Sequence, residues 1–302
     1  MSLFTRPLLC AAALAACAVA PAAHAALVYS LASSGLQLIR FDSASPGVVT
    51  AVGAITGAGN LGLNGLDFRP ADGQLYGYSH QTGSVYTVNT STGAATLVTA
   101  ISVPTTSAPL GIDFNPVPDR MRIVTEGDQN LRVNVAGGAT LVDGTLAYAA
   151  GDPNFGVNPS IVDAAYTNSD TNVATGTTLY YIDHNTNTLV STSNPNGGAL
   201  STVGALGVDT GAALGFDILT DLAVNTAFAA LNVGGVNSLY GVNLATGAST
   251  LLGVIANTTP LWGLAVVPGR NAIPEPGSLA LVGLAGLAAL ATRRRKTAQP
   301  AN

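Results

Sequence analysis

Few side chains in this 302-residue chain can do chemistry, and their spacing narrows what that chemistry is. Asp67, Asp113 and Asp217 recur in one local pattern, Leu66-Asp67-Phe68, Ile112-Asp113-Phe114 and Phe216-Asp217-Ile218. Three carboxylates at a repeated position suit a hard cation such as calcium if they converge. They equally suit bonds to backbone amides in their own turns, and Leu264-Ala265-Val266 repeats the pattern without the acid. His80 and His184 close two similar runs, Leu75 to His80 and Leu179 to His184, which favours a repeated turn residue over a ligand pair. There is no G-x-S-x-G elbow and no HExxH zinc motif, so nucleophilic and zinc hydrolysis lack their usual parts. Gly57-Ala58-Gly59-Asn60-Leu61-Gly62 matches G-x-G-x-x-G, but a strand-like run from Gly65 follows where a dinucleotide site needs a helix. No cofactor is expected.

The ends of the chain carry addresses. Arg6, the apolar run Leu8 to Ala20, Pro21 and then Ala23-His24-Ala25 read as a secretory signal peptide cut after Ala25. Leu14-Ala15-Ala16-Cys17 also resembles a lipobox, the alternative in which Cys17 is lipidated. Cys10 and Cys17 both precede Ala25, so a chain cut there has no cysteine, and disulfides, CxxC redox chemistry and Cys-zinc sites are excluded. At the far end Pro274-Glu275-Pro276 precedes an uncharged stretch from Ser278 to Thr292 and the cluster Arg293-Arg294-Arg295-Lys296. As a helix that stretch would be ~23 Å long, short of a ~30 Å hydrocarbon core, and the basic cluster would face the cytoplasm.

This order of Pro-Glu-Pro, apolar stretch and arginine cluster resembles the PEP-CTERM sorting signal. The resemblance implies processing by an exosortase-type membrane protease in Gram-negative bacteria that make exopolysaccharide, which is itself a further expected partner. It also implies that the C-terminal helix anchors the chain in the inner membrane before processing. An ordinary tail anchor is the plainer alternative.

Between the ends lies a body, residues 26–270, with six arginines against fifteen acids and a net charge of about −9. It has no basic patch, so nucleic acid and anionic membrane surfaces are not expected partners. Only 9% of the chain is charged, and 35 glycines with many Ala, Thr, Asn and Ser speak for short strands and tight turns. Glycines at 47, 93, 138, 198 and 247 precede short apolar runs, and the Asp-bearing landmark has the same period with one copy missing near Val162 to Tyr166.

Each period divides into four runs of β-formers, for example Gly65 to Arg69, Gln74 to Ser79, Ser84 to Asn89 and Thr96 to Ile101. The chain starts inside a period, and Trp262 to Val267 supplies the missing first strand of the first sheet. The expected fold is all-β: a β-propeller of five four-stranded blades, closed by pairing of the N- and C-terminal strands of the body, with a short apolar C-terminal helix in the tail. A β-sandwich or β-solenoid is the rival. Ala212 to Asn232 could pass for a helix, but Asp217 falls at the landmark and Thr220-Asp221 and Asn225 interrupt the run.

Gly111 to Pro116, Asp119 to Arg122, Asn130-Leu131-Arg132, Ala165 to Asn168 and Gly215 to Ile218 together resemble the bacterial domain-of-unknown-function family 4394. That resemblance implies an extracellular propeller-like domain and no particular activity. The domain boundaries are therefore 1–25 for the signal peptide, 26–270 for the propeller-like body and 271–302 for the sorting tail.

Antiparallel order places the longest insertion, Ala147 to Ser160, on the same face as the turns between second and third strands. That face would gather His80, Glu126, Asp128, Asp152, Asn154, Phe155 and His184, polar groups beside an aromatic ring that suit a sugar or small polar ligand. Asp119, Arg120 and Arg122 read as surface ion pairs. The expectation is an exported, non-enzymatic surface or matrix protein. A carbohydrate- or cation-binding module, or a propeller enzyme acting on a sugar or lactone, are the alternatives.

Overall fold

The computed structural model describes residues 25–60, 62–169, 172–212, 214–256 and 259–269. The signal segment before Ala25 and the tail from 270 onward lie outside the described residues, so the expected cleavage site, anchor helix and arginine cluster have no structural account. Among the described residues no helix is long and apolar enough to cross a membrane.

Among the described residues, short β-rich runs divided by glycine and Asn turns give twenty-one strands in five sheets. Blade 1 has the order β21-β1-β2-β3, from β1 (Leu27–Ala32), β2 (Gln37–Asp42), β3 (Ser45–Ala54) and β21 (Trp262–Val266). Blade 2 runs β4 (Gly65–Phe68), β5 (Leu75–Ser79), β6 (Ser84–Val88) and β7 (Ala95–Ala100). Blade 3 runs β8 (Leu110–Asn115), β9 (Arg120–Thr125), β10 (Asn130–Asn134) and β11 (Ala139–Val142). Blade 4 runs β13 (Ile161–Tyr166), β14 (Leu179–Asp183), β15 (Thr188–Thr192) and β16 (Ala199–Ala205), and β12 (Ala147–Tyr148) adds a fifth strand parallel to β16. Blade 5 runs β17 (Gly215–Asp221), β18 (Val224–Val233), β19 (Val236–Val242) and β20 (Ser249–Val254). The ambiguous stretch from Ala212 is thus two strands.

The first strands of neighbouring blades touch in a closed cycle, β4 to β8 to β13 to β17 to β21 and back to β4. This cycle defines the axis of the propeller. The first and last strands of the described body meet in blade 1, where Val28 stands opposite Val266 and the Val267 N–H donates to Leu27 O at 2.9 Å. There is no single central core. Five apolar clusters each fill the gap between two blades, as Tyr78, Ile112, Phe114 and Met121 do between blades 2 and 3.

The repeated glycine has a physical cause. Asn89 caps the turn between β6 and β7 by accepting from Ser91 N and Thr92 N, and Gly93 then takes φ +79°, a conformation open to glycine. A Cβ there would lie 2.7 Å from the carbonyl oxygen of Ala54, because the end of blade 1 laps over the start of β7. Gly138, Gly198 and Gly247 share the positive φ and abut the backbone of the preceding blade in the same way, so the sequence period records the lacing of the rim.

Candidate functional site

Strands β4, β8, β13 and β17 each place an aspartate at the axis: Asp67, Asp113, Asp163 and Asp217, all buried. Ala265 holds the equivalent place on β21. The carboxylates act as latches between blades. Asp67 Oδ2 accepts from Phe114 N at 2.7 Å, Asp163 Oδ2 from Phe216 N at 2.8 Å and Asp217 Oδ2 from Val266 N at 2.6 Å. At Asp113 the amide of Tyr166 on β13 opposes the upward push of burial. The other oxygens of Asp163 and Asp217 accept from the next amide of their own strands, Ala164 N at 2.9 Å and Ile218 N at 2.6 Å. The amides are thus mainly those of the next blade, where the sequence suggested each acid's own turn.

Oxygens of Asp67, Asp113 and Asp217 also lie within 4.8 Å of one another. Burial pushes all four carboxyls up, and Asp217 adds to the rise at Asp67, Asp113 and Asp163 by repulsion. Asp217 itself, with two amides opposing the desolvation, is raised to about 6. Acids held so close share protons or share a cation, since separate charges cannot be kept there without water. Asp163 escaped the sequence reading because small Ala164 follows it where Phe68, Phe114 and Ile218 follow the other three acids. Its signal was Val162-Asp163-Ala164, inside the window of the missing repeat.

The loop face is only partly assembled. Glu126, Asp128 and His184 come together with the end of the long connector. Ser160 Oγ lies 2.8 Å from His184 Nε2 and 3.3 Å from Glu126 Oε1, and the His184 to Glu126 separation is 3.5 Å. Asp128 has its carboxyl pushed up by burial, with Asn158 as an opposing hydrogen-bond partner. Glu126 approaches the same ring nitrogen as Ser160, so it does not orient the histidine from behind as the acid of a Ser-His-acid triad does.

His80 sits apart in blade 2, with Nδ1 2.6 Å from Thr105 Oγ1, which in turn meets Tyr78 OH at 2.9 Å. Asp152 and Asn154 lie on the outer edge of blade 4. Asp152 accepts from Thr202 N at 2.6 Å and Thr202 Oγ1 at 2.7 Å, and Asn154 Nδ2 donates to Thr202 Oγ1 at 3.0 Å. Together with β12 they cap the free edge of β16, and Phe155 projects from this capped loop, 64% exposed.

Arg122 corrects the sequence reading most sharply. It is no surface residue but is 2% exposed, with Nη1 donating to Asp143 at 2.6 Å and Asn130 at 2.7 Å, Nη2 to Asn196 at 2.9 Å and Nε to Tyr166 OH at 3.2 Å. Arg132 also grips Asp143, at 2.6 and 2.9 Å. The network staples blade 3 to blade 4. Arg69 does the same for blades 2 and 3 through a two-pronged bond to Asp119, whose carboxyl it holds below the usual range.

The fold and its axial acids define a five-bladed β-propeller with four-stranded blades. The chain belongs to the family described as Domain of unknown function (DUF4394), whose model matches residues 37–265. Residues 272–296 match the PEP-CTERM protein-sorting motif, the mark of exported proteins recognised by an exosortase. No curated protein matches the chain.

Among solved structures, a nidogen/laminin complex chain is 12% identical, covering 80% of this chain and 98% of that one at a TM-score of 0.45. A protein of unknown function from Bacteroides thetaiotaomicron is 13% identical, covering 80% and 66%, at 0.48. A protein from Lactobacillus plantarum is 19% identical, covering 80% and 71%, at 0.40.

Proposed function

We propose that this protein is a non-enzymatic surface component, exported by its N-terminal segment and released from an inner-membrane stage when an exosortase-type protease removes the tail. The observation that carries this reading is the sorting motif at 272–296, directly after a body that ends in the sealing strand of the propeller. Pro274, Glu275 and Pro276 would be the recognised element. The stretch before Arg293, Arg294 and Arg295 is too short for an efficient permanent span but long enough for a transient stop. Neutral residues in place of the arginine cluster should release the chain before sorting, seen as loss of the membrane-held precursor in fractionated cells. An unchanged precursor would contradict the anchor. Exopolysaccharide around the cell is the proposed environment of the mature form.

A second reading rests on the axial acids. Asp67, Asp113 and Asp217 offer oxygens at separations compatible with one calcium-sized ion. A bound cation would stabilise the native state by mass action, so titration calorimetry with calcium tests it directly. No heat of binding would leave the acids as proton-sharing latches.

A further inference from the structure

Two hairpins at opposite ends of blade 5 share a geometry and differ in sequence. Val233 stands opposite Val236 across Gly234-Gly235, and Asp221 stands opposite Val224 across Leu222-Ala223. All four central residues have positive φ, 59° and 85° at the glycines, 49° at Leu222 and 66° at Ala223. Two-residue turns of this kind favour Asn-Gly or Gly-Gly, because a side chain crowds the backbone in the left-handed region. Blade 5 follows that rule at one end and breaks it at the other, where Leu222 is 50% and Val224 63% exposed. Strain of this sort points to residues selected for something other than the turn.

The end that breaks the rule is the end at which the body gives way to the tail. β21 runs alongside β17 in the same direction, since Gly215 abuts Gly263 and Gly269 abuts Thr220 and Asp221. A Cβ at Gly269 would lie 2.5 Å from Thr220 O, at the base of the Leu222-Ala223 turn. The connector between β13 and β14 opens at the same end and is tied to this hairpin. Asn168 N donates to Asn225 Oδ1 at 3.0 Å, Asn225 Nδ2 to Asn168 Oδ1 at 2.9 Å and Ser169 N to Thr220 Oγ1 at 3.0 Å. That connector adds Val173, 76% exposed. From Gly269 only the eight residues 270–277 precede the apolar stretch that starts at Ser278, a leash of at most ~29 Å.

We propose that the Leu222-Ala223-Val224 tip, with Val173, is a lipid-contacting surface that seats the propeller on the membrane while the tail is anchored there. The inference rests on the proposed anchor. The leash selects the occupant, because it leaves the body at the base of this tip, whereas the Gly234-Gly235 turn lies the length of β18 away, ten residues or ~33 Å. Three apolar side chains are too few to hold a free protein to a bilayer, but a tethered body meets the surface at an effective concentration on the order of millimolar. The contact is apolar and needs no basic patch, in keeping with the acidic body. Removal of the tail would end the tether and free the tip, which confines the seat to the anchored stage.

The test uses the full-length chain in phosphatidylcholine vesicles, with Cys10→Ser and Cys17→Ser so that one introduced thiol carries an environment-sensitive fluorophore. Nitroxide-bearing lipid is the quencher. Single labels go at Leu222→Cys and Val173→Cys, at Val236→Cys on the opposite end of blade 5, and at Leu284→Cys in the tail. Labels at Leu222 and Val173, seated ~5–10 Å into the headgroup region, should be quenched several-fold more than the label at Val236, itself 48% exposed and apolar. A quenched Leu284 label with Leu222 quenched no more than Val236 would keep the anchor and overturn the seat. An unquenched Leu284 label would overturn both. The variant Leu222→Asn, Ala223→Gly, Val224→Thr gives the turn its ordinary residues, so its melting temperature should not fall, while quenching of the Val173 label should drop toward the Val236 level. Unchanged quenching there would show that the tip is not the contact and would overturn the proposal.

Discussion

Raising the pH from 5 to 8 in the absence of divalent cations should destabilise the propeller. Asp217 is buried at the axis, and burial pushes its carboxyl up to about 6, above the ordinary aspartate range. A carboxyl whose folded pKa is raised contributes stability that is fully present below the unfolded pKa and lost as pH rises through the folded one. The whole rise corresponds to roughly 3 kcal/mol, but the unfolded carboxyl is already ionised at pH 5, so the part lost between pH 5 and 8 is about 1.4 kcal/mol, and for a body of this size a fall in Tm of roughly 3–6 °C. Asp67, Asp113 and Asp163, raised in the same direction by burial and by one another's charge, extend the loss toward higher pH.

Asp119 and Asp152 have opposite shifts, so their contribution is lost only as pH falls through their depressed folded values, outside this window. The assay is thermal unfolding at constant ionic strength with EDTA, followed by near-UV circular dichroism. Asp217→Asn, which keeps an acceptor for Val266 N but cannot ionise, should flatten the pH dependence. A Tm that stays constant or rises from pH 5 to 8 would refute the reasoning. Restoration of Tm at pH 8 by calcium would assign the axial site to a cation.

Arg122→Met should destabilise by about 3–5 kcal/mol, because it strands the acceptors of Asp143, Asn130 and Asn196 at the blade 3 to blade 4 seam; urea unfolding measures it, and a loss under ~1 kcal/mol would mean the network is dispensable. Gly93→Ala meets the Ala54 carbonyl at 2.7 Å as well as an unfavourable φ, whereas Gly73→Ala at φ +69° has nothing within 4 Å. The first should cost more than the ~1–2 kcal/mol of backbone strain expected for the second, and equal effects would show that the rim does not pack as described.

The architecture was legible because the repeat has a steric cause. Glycines at 93, 138, 198 and 247 are held by the approach of the preceding blade, so they recur in four of the five blades, while Gly47 of blade 1 keeps the period without the positive φ. The incomplete first period likewise implied a partner from the far end, and β21 stands beside β1. The axial acids were legible as a recurrence, but not their partners, since the amides they bind belong to other blades 47 to 53 residues away.

Arg122 was misread for a related reason. Asp119 and Arg120 beside it suggest a surface turn, while Asp143, Tyr166 and Asn196 are distant in sequence and give no local sign of convergence. Antiparallel strand order placed Asp152, Asn154 and Phe155 on a ligand face, but Thr202, which draws the two polar residues to the blade edge, is 50 and 48 residues on.

If the tail is a sorting signal rather than part of the mature protein, mass spectrometry of the protein released from its native envelope will show its removal. The mature form should begin at Ala26 and end near Pro274 to Pro276, with peptides of the body recovered and those beyond Pro276 missing from the surface-exposed fraction. Recovery of intact peptides spanning Pro276 through Lys296 from most of that fraction would contradict it and leave a simple tail anchor.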